Sequence, residues 1–505
     1  MRYSYRMTVP LVLFGVSILF GLTLYIPGIW RARTVLAALA FLCTAFAIGM
    51  QLGADTGAWS MLLGALGLYG MVNNLRIIER RMHERYLYRV TLRTALIVAI
   101  LQLCTIALLE TRDSWWPAGE AAWIALSLTL LAAAAVLFSS TVRRFKKTAW
   151  PQHAAAYADS ELPTVTVAIP ARDETDDLQA CLHSIIANDY PKLEILVLDD
   201  CSQERRTPEI IRNFAHAGVR FIQGEVPDDT WLPKNHAYDQ LKRSASGDYI
   251  LFCGVDVRFE PGSIRKLVTG MLHKNKRMMS ILPRRTAQTE AHFSVVQAMR
   301  YWWELVPPRR LFRRPPVLSS CWIVETDTLE RAGGFRAVAR SIVPEAHFAK
   351  AAQSGDGYSF MRSTPALGIE SGKSIQEQHT TAVRTRYPQL HRRPENVFIV
   401  AAAELLFLVV PFVLAIAGFW LHIGLVAQLC AAASCVLLVG SYVVMALGTR
   451  INTWWFSVIA LPVVVLADIV LLHYSMWKYE FSEVSWKGRN ICISAMHVVP
   501  HLPRL

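Results

Sequence analysis

Long uncharged runs occupy both ends of this chain, while the middle alternates on a much shorter period. Before residue 142 the runs are about 8–28, 34–53, 57–75, 94–109 and 121–140. After residue 396 they are about 397–420, 423–448 and 454–475. Each approaches the roughly 20 residues that cross a bilayer core as a helix. The pattern predicts an integral membrane protein with about five transmembrane helices in an N-terminal region (1–147) and about three transmembrane or interfacial helices in a C-terminal region (396–476). The first run follows Arg2 and Arg6 with no small-residue cleavage pattern, so it reads as a retained helix.

A polar, Ala- and Pro-containing linker (148–162) leads into a domain spanning 163–395, within which strand and helix patterns alternate. TVTVAIPA (164–171) is a β-branched strand, and DDLQACLHSIIAND (176–189) puts Leu178, Cys181, Leu182, Ile185 and Ile186 on one helical face. LEILVLDD (193–200), VRFIQ (219–223) and DYILFCGVD (248–256) are further strands, with helices expected near 207–216 and 236–245. Such alternation predicts a mostly parallel α/β sheet, and ligands of such sheets bind outside the carboxyl ends of the strands. The polar residues gather at those ends: Pro170, Arg172, Asp173 and Glu174 after the first strand, Asp199 and Asp200 at the second, and Asp256 after the last.

Charge refines the topology. The net charge of +13 is concentrated in RIIERRMHERYLYR (76–89), RRFKK (143–147) and HRR (391–393). Positive loops remain on the cytosolic side, so the domain is expected to face the cytosol, in the inner membrane of a bacterial cell. The basic excess reads as topology and attraction to anionic headgroups, not as nucleic-acid binding. The nine cysteines form no CxxC pair, which fits small apolar residues in a reducing compartment.

Four stretches in order, VAIPARDET (167–175), LVLDDCS (196–202), the strand ending in VDV (255–257) and LERAGGF (329–335), resemble family 2 glycosyltransferases of the GT-A fold over roughly 163–350. The flanking spans, together with WLPKNHAYDQ (231–240) and the ending WKGRN (486–490) in the basic tail (477–505), are similar to the membrane-bound branch that glycosylates lipids, including carotenoid- and hopanoid-associated enzymes. The resemblance implies that Ala171, Arg172 and Glu174 frame the nucleoside of a nucleotide-sugar donor. It likewise implies that Asp199 and Asp200 take the base edge and ribose, that Lys234 approaches the diphosphate, and that Asp256 binds Mg²⁺ or Mn²⁺. A magnesium ion commonly needs only one or two protein carboxylates.

The chain departs from the family at two carboxylates. Gly254 stands where an acidic residue usually precedes the metal-binding aspartate, which leaves a reduced metal site. Pro344 and Glu345 replace the usual Glu-Asp after GGF, which makes Glu345 the candidate general base, with His347 as an alternative. The competing reading of Glu345 is an exposed carboxylate at a helix N-terminus, where the helix dipole favours it. The implied reaction is inverting transfer of one sugar to a membrane lipid hydroxyl or phosphate. The alternatives are a processive polysaccharide synthase and a degenerate transferase serving as a scaffold or sugar-nucleotide sensor.

Three further stretches carry charge without a clear catalytic role. QAMRYWWELVPPRRLFRRPP (297–316) reads as amphipathic, suited to a headgroup layer. Arg384, Arg386, His391, Arg392 and Arg393 read as juxtamembrane anchors, with contact to the diphosphate as the other option, and Asp468 reads as a packed intramembrane carboxylate. Three full crossings after the domain would put WKGRN on the opposite side from it, so one of the last three runs is expected to lie in the interface.

Overall fold

The computed structural model describes residues 120–151, 157–228, 230–285, 295–306, 314–449, 454–480, 484–487 and 489–492, with five isolated positions before residue 44. The first four expected spans lie outside the described residues. The chain divides into two compact units. One comprises 1–126, 393–400 and 494–505; the other comprises 127–392 and 401–493 and contains every sheet.

Helix α1 (Glu120–Thr148) realises the fifth expected span and runs into the domain. There β1 (Val165–Ala171), α2 (Asp176–Ile186), β2 (Leu193–Asp199), α3 (Arg206–Asn213), β3 (Val219–Gln223), α4 (Pro233–Ser244) and β4 (Tyr249–Cys253) follow one another. Strands β1 to β4 are all parallel to their neighbours, in the order β3-β2-β1-β4. Helix α4 begins three residues before the expected start because Pro233 occupies its first turn, where the missing N–H costs nothing. Next come β5 (Val257–Phe259), α5 (Ser263–His273), β6 (Met278–Leu282), β7 (Arg284–Arg285), α6 (Val295–Leu305), β8 (Cys321–Glu325), α7 (Thr326–Arg331), α8 (Glu345–Gln353), β9 (Tyr358–Arg362), β10 (Ile369–Ser371) and α9 (Ile375–Gln389). Strands β8, β6 and β9 extend the first sheet to seven strands, with β8 antiparallel to both β4 and β6. Strands β5, β10 and β7 form a small second sheet. This is the mostly parallel, Rossmann-like arrangement that the alternating pattern predicts.

Period-two alternation along β1 divides the core. Val165, Val167 and Ile169 pack with Leu178 and Leu182 of α2 on one face, while Ala168 packs with Tyr238 and Leu241 of α4 on the other. The second face carries a fully buried aromatic stack. Phe252 lies on Trp322 at 4.4 Å between ring centroids, and Trp322 lies on Phe348 of α8 at 6.0 Å. Gly333 (φ +87°) and Gly334 (φ +59°) form the turn that delivers Phe335 into this stack, a left-handed path that residues with a Cβ avoid.

After the domain come α10 (Pro394–Glu404), a π-helical turn (Leu405–Val409), α11 (Val410–Leu421), α12 (Leu425–Thr449) and α13 (Ser457–Glu480). The π turn lies just before Pro411, whose missing N–H would break a regular helical ladder. Among the described residues, four helices are long and apolar enough to cross a membrane: Ala121–Thr148, Asn396–Trp420, Leu425–Thr449 and Ser457–Glu480.

Arg362, at the end of β9, ties the domain to two of these helices. Its guanidinium donates to the Phe145 and Gly448 carbonyls, and at 3.2 Å to Thr148 Oγ1. Carbonyls in a last helical turn lack helical partners and carry negative partial charge, so an arginine is their natural cap. The 297–316 stretch is corrected in part. Trp302 is buried and donates to Thr141 Oγ1 at 3.1 Å, and Arg314 is buried in an ion pair with Glu304 at 2.6 Å. Neither is available to headgroups. Arg309, Arg310 and Arg313 lie outside the described residues.

Helix α13 packs along α9 through its second half. Asp468 meets Arg386, and Ser475 Oγ accepts from the Tyr387 amide at 3.1 Å. That half owes its hydropathy to burial against protein. The tail that follows contacts the strand ends of the domain through Lys487 and Arg489.

Candidate active site

A cavity of about 350 Å³ opens at the carboxyl ends of β1 and β4. Pro170 and Glu174 reach it from the β1 loop, Gly254 and Asp256 from the turn after β4, Lys234 and Tyr238 from α4, and Lys373, Glu377 and Arg384 from α9 and the turn before it. The expected strand over 248–256 stops at Cys253, so Asp256 sits in a turn. There Ser371 Oγ donates to its Oδ2 at 2.6 Å and Gly372 N to its carbonyl at 2.9 Å.

Gly254 does more than remove a carboxylate. A Cβ built there would meet Asp256 Oδ1 at 2.6 Å, closer than real Cβ contacts come. The glycine therefore gives the Asp256 carboxylate the space it lies in. Asp256 Oδ2 is held by Ser371 and Oδ1 faces the room over Gly254. That arrangement fits a divalent cation held by one protein carboxylate and completed by water or phosphate oxygens. Among the described residues no cluster of three or more His, Cys, Asp or Glu side chains offers a fuller cage.

Lys234 and Glu345 form the second feature. Lys234 Nζ donates to Glu345 Oε1 at 2.8 Å and lies 5.0 Å from the centre of the Tyr238 ring, one helical turn along α4. Glu345 is the first residue of α8 and is 0% exposed, so the reading of it as an exposed helix-end carboxylate does not hold. Its Oε2 has no hydrogen-bond partner. Phe348, on the same face of α8, anchors the helix in the aromatic stack. Asn235 donates to the Val338, Ala339 and Ser341 carbonyls at 2.8–3.1 Å and so fixes the loop leading to Glu345. His347 is exposed and its ring nitrogen bonds the Ala332 carbonyl at 2.9 Å, outside the cavity lining.

The electrostatics are strongly positive. Lys234, Arg300, Lys373, Arg384 and Lys487 line the cavity against Glu174, Asp256 and Glu377. Arg300, Lys373 and Arg384 make no ion pair with any described carboxylate, and Arg300 Nε is buried without a partner. Burial lowers the Lys373 pKa; nearby Asp256 opposes the shift, and Arg300 and Arg384 add to it. Burial likewise lowers that of Lys234, against the attraction of Glu345. These cations were not legible as a group, because they come from α6, α9 and the tail. Arg386 is not among them: it is 1% exposed and paired with Asp468 and Glu404, so it neither anchors at a headgroup nor reaches the cavity.

The remaining candidates stand beside the cavity. Ala171 ends β1 in register with Asp199. Asp199 is buried and accepts from Ser202, so it shapes its own loop. Asp200, next along, is 1% exposed, and burial raises its pKa against the pull of Arg489. Arg172 Nη1 donates to the Asp200 carbonyl at 2.7 Å and bridges the first two strand ends.

Residues 166–323 match the family model described as glycosyl transferase family 2. This stretch is similar to that family. A glycosyltransferase named AglE from Haloferax volcanii is 43% identical over 101 residues, covering 19% of this chain and 32% of that relative. A 4,4'-diaponeurosporenoate glycosyltransferase from Staphylococcus aureus is 31% identical over 124 residues, covering 24% of this chain and 31% of the relative. The chain thus spans about a third of the length of these curated relatives. Among solved structures, a Pyrobaculum calidifontis mannosyltransferase in complex with GDP-Man and Mn²⁺ aligns with a TM-score of 0.38 at 19% identity, over 68% of this chain and 99% of that one. Staphylococcus aureus TarS 1-349 with UDP-GlcNAc aligns at 0.31 and 14% identity, over 63% and 92%. The family 2 match ends inside β8, so Glu345, Lys373 and Arg384 all lie beyond it.

Proposed function

We propose that the protein is an inverting glycosyltransferase that moves one sugar from a nucleotide-activated donor to a hydroxyl or phosphate of a membrane lipid at the cytosolic face. One observation carries this reading: a single strand-end cavity is lined by Asp256, by Lys234, which pairs with the buried Glu345 behind it, and by three cations without carboxylate partners among the described residues, Arg300, Lys373 and Arg384. Such an excess of buried positive charge favours a polyanion, and a nucleoside diphosphate supplies two phosphate groups. The lipid acceptor is supported by α9, which lines the cavity with Thr380, Thr381 and Arg384 and packs through Val383, Arg386 and Tyr387 on α13. It is supported too by the relative named for 4,4'-diaponeurosporenoate glycosylation.

In this reading Lys234, Arg300, Lys373 and Arg384 bind and orient the diphosphate. Asp256 is the residue to hold a divalent metal, which when bound neutralises charge growing on the leaving diphosphate. Glu345 takes the proton of an attacking hydroxyl through its unpaired Oε2, and Lys234 holds that carboxylate in position. Direct attack from the face opposite the diphosphate inverts the anomeric centre, with no covalent enzyme intermediate.

The test is incubation of purified protein with a panel of nucleotide sugars and membrane lipid extract, with and without Mn²⁺, read by mass spectrometry. A single-sugar lipid product is expected. Long polymer from the same incubation would establish a processive synthase, and failure to consume any donor would establish a scaffold or sensor.

A further inference from the structure

The groups that the resemblance assigns to the nucleoside are held by one short element outside the family match. After α13 the chain returns as a hairpin of β11 (Ser485–Trp486) and β12 (Arg489–Asn490). Arg489 Nη1 donates to Asp200 Oδ1 at 2.8 Å and Nη2 to the Asp200 carbonyl at 3.2 Å. Lys487 Nζ pairs with Glu174 Oε1 at 2.9 Å, and the Lys487 carbonyl accepts from Arg172 Nε at 3.1 Å. Trp486 and Lys487 also line the cavity, with Arg384 5.8 Å from the Trp486 ring centre.

We propose that this hairpin is a strap occupying the nucleoside subsite, and that the donor binds by displacing it. The proposal rests on the donor reading of the cavity. The chemistry of the two occupants matches. A nucleoside offers ribose O–H and base N–H donors, and the acceptors they need, Asp200 and Glu174, are the ones that Arg489 and Lys487 hold. Asp200 Oδ2 is buried with no partner at all, so the strap leaves half of that carboxylate for something else to meet.

The strap is built to let go. Each strand has two residues, and one flanking backbone bond, Ile491 N to Val484 O at 3.0 Å, extends the pairing. A two-stranded hairpin is marginal alone, and Lys487 sits at a left-handed φ of 47°, unfavourable for a residue with a Cβ. Two ion pairs, the Arg172 bond to the Lys487 carbonyl and the burial of Val484 and Ile491 hold it down, and the Lys487 side chain is 31% exposed and open to screening by salt.

The test measures binding of UDP and of GDP to the full-length protein in detergent by titration calorimetry, for wild type, Lys487→Ala and Arg489→Gln. A nucleotide limited by a mostly closed strap binds more tightly in proportion to the fraction opened. Both variants are therefore expected to tighten the diphosphate that binds, by about ten-fold for Arg489→Gln. Should Arg489→Gln fold poorly, judged by size exclusion, Lys487→Ala decides alone. Unchanged or weaker binding in the variants overturns the strap and leaves the donor site standing. Absence of binding to wild type and variants alike overturns both.

Discussion

Glu345→Gln separates the role of a charge from the role of a shape. Glutamine keeps the side chain's size and an oxygen for Lys234, which now bonds Oε1 at 2.8 Å, but it cannot take a proton from an acceptor. Breaking a buried ion pair outright costs about 3–5 kcal/mol. Here the lysine keeps an acceptor, so a loss of about 1–3 kcal/mol in stability is the working figure. The catalytic loss is larger: removing a positioned general base lowers kcat by roughly 10²–10⁴-fold, or about 2.7–5.4 kcal/mol of barrier. The donor KM should hold steady or fall, because Lys234, relieved of a full negative charge, has more of its own to offer the diphosphate. The assay is steady-state transfer with donor and acceptor varied separately, beside a His347→Ala control that should resemble wild type. A kcat within about ten-fold of wild type, in protein shown to be folded, would refute the assignment of Glu345 as base.

Asp256→Ala should cost about 10²–10³-fold in activity and remove any stimulation by Mg²⁺ or Mn²⁺; activity that still responds to metal would place the metal elsewhere. Gly254→Asp restores the residue type the family carries, yet its Cβ would strike Asp256 Oδ1 at 2.6 Å. Activity should therefore fall about ten-fold or more, since a misplaced catalytic group commonly costs up to 10²-fold, and a gain in donor turnover would show that the space over Gly254 is unused. Lys373 has its pKa lowered, so it loses its proton at a lower pH than an ordinary lysine. Diphosphate affinity should be full below that depressed value and decline as pH rises through it, and Lys373→Met should shrink the decline in a pH series of nucleotide binding, leaving the part that Lys234 contributes. Arg386→Met leaves Asp468 and Glu404 buried without their cation, a loss of about 3–5 kcal/mol read as early thermal aggregation. Adding Asp468→Leu to it should recover part of that loss.

The sheet was legible because β-branched runs and a helical face of Leu178, Cys181, Leu182 and Ile185 are local facts, and burial follows them one by one. Polar residues at strand ends were legible for the same reason: Glu174, Lys234 and Asp256 line one cavity, with Glu345 behind Lys234. What the sequence concealed was partnership across long separations. Arg386 and Arg384 lie two residues apart on α9 and look alike in the chain. One turns to Asp468, 82 residues on, while the other turns to the cavity. Hydropathy likewise did not reveal that α13, long and apolar enough to cross a membrane, packs on α9 through its second half.

The division of the chain at the end of the family match has a chemical meaning. Within 166–323 lie the strand ends, Asp256 and Lys234, the groups that the proposed reaction gives to the nucleotide-sugar donor. Beyond it come Lys373, Arg384, Trp486 and Lys487, which line the cavity, and Glu345, which lies behind Lys234. Two of these elements, α9 and the hairpin, adjoin α13, an apolar helix whose position answers to the membrane. A lipid pressing on α13 would act through Tyr387 and Arg386 on the same helix that presents Arg384 to the cavity. Acceptor choice is therefore expected to lie in the C-terminal part of the chain. Exchanging residues 375–492 with those of a family member that uses another acceptor should change the lipid glycosylated and leave the preferred nucleotide sugar as it was.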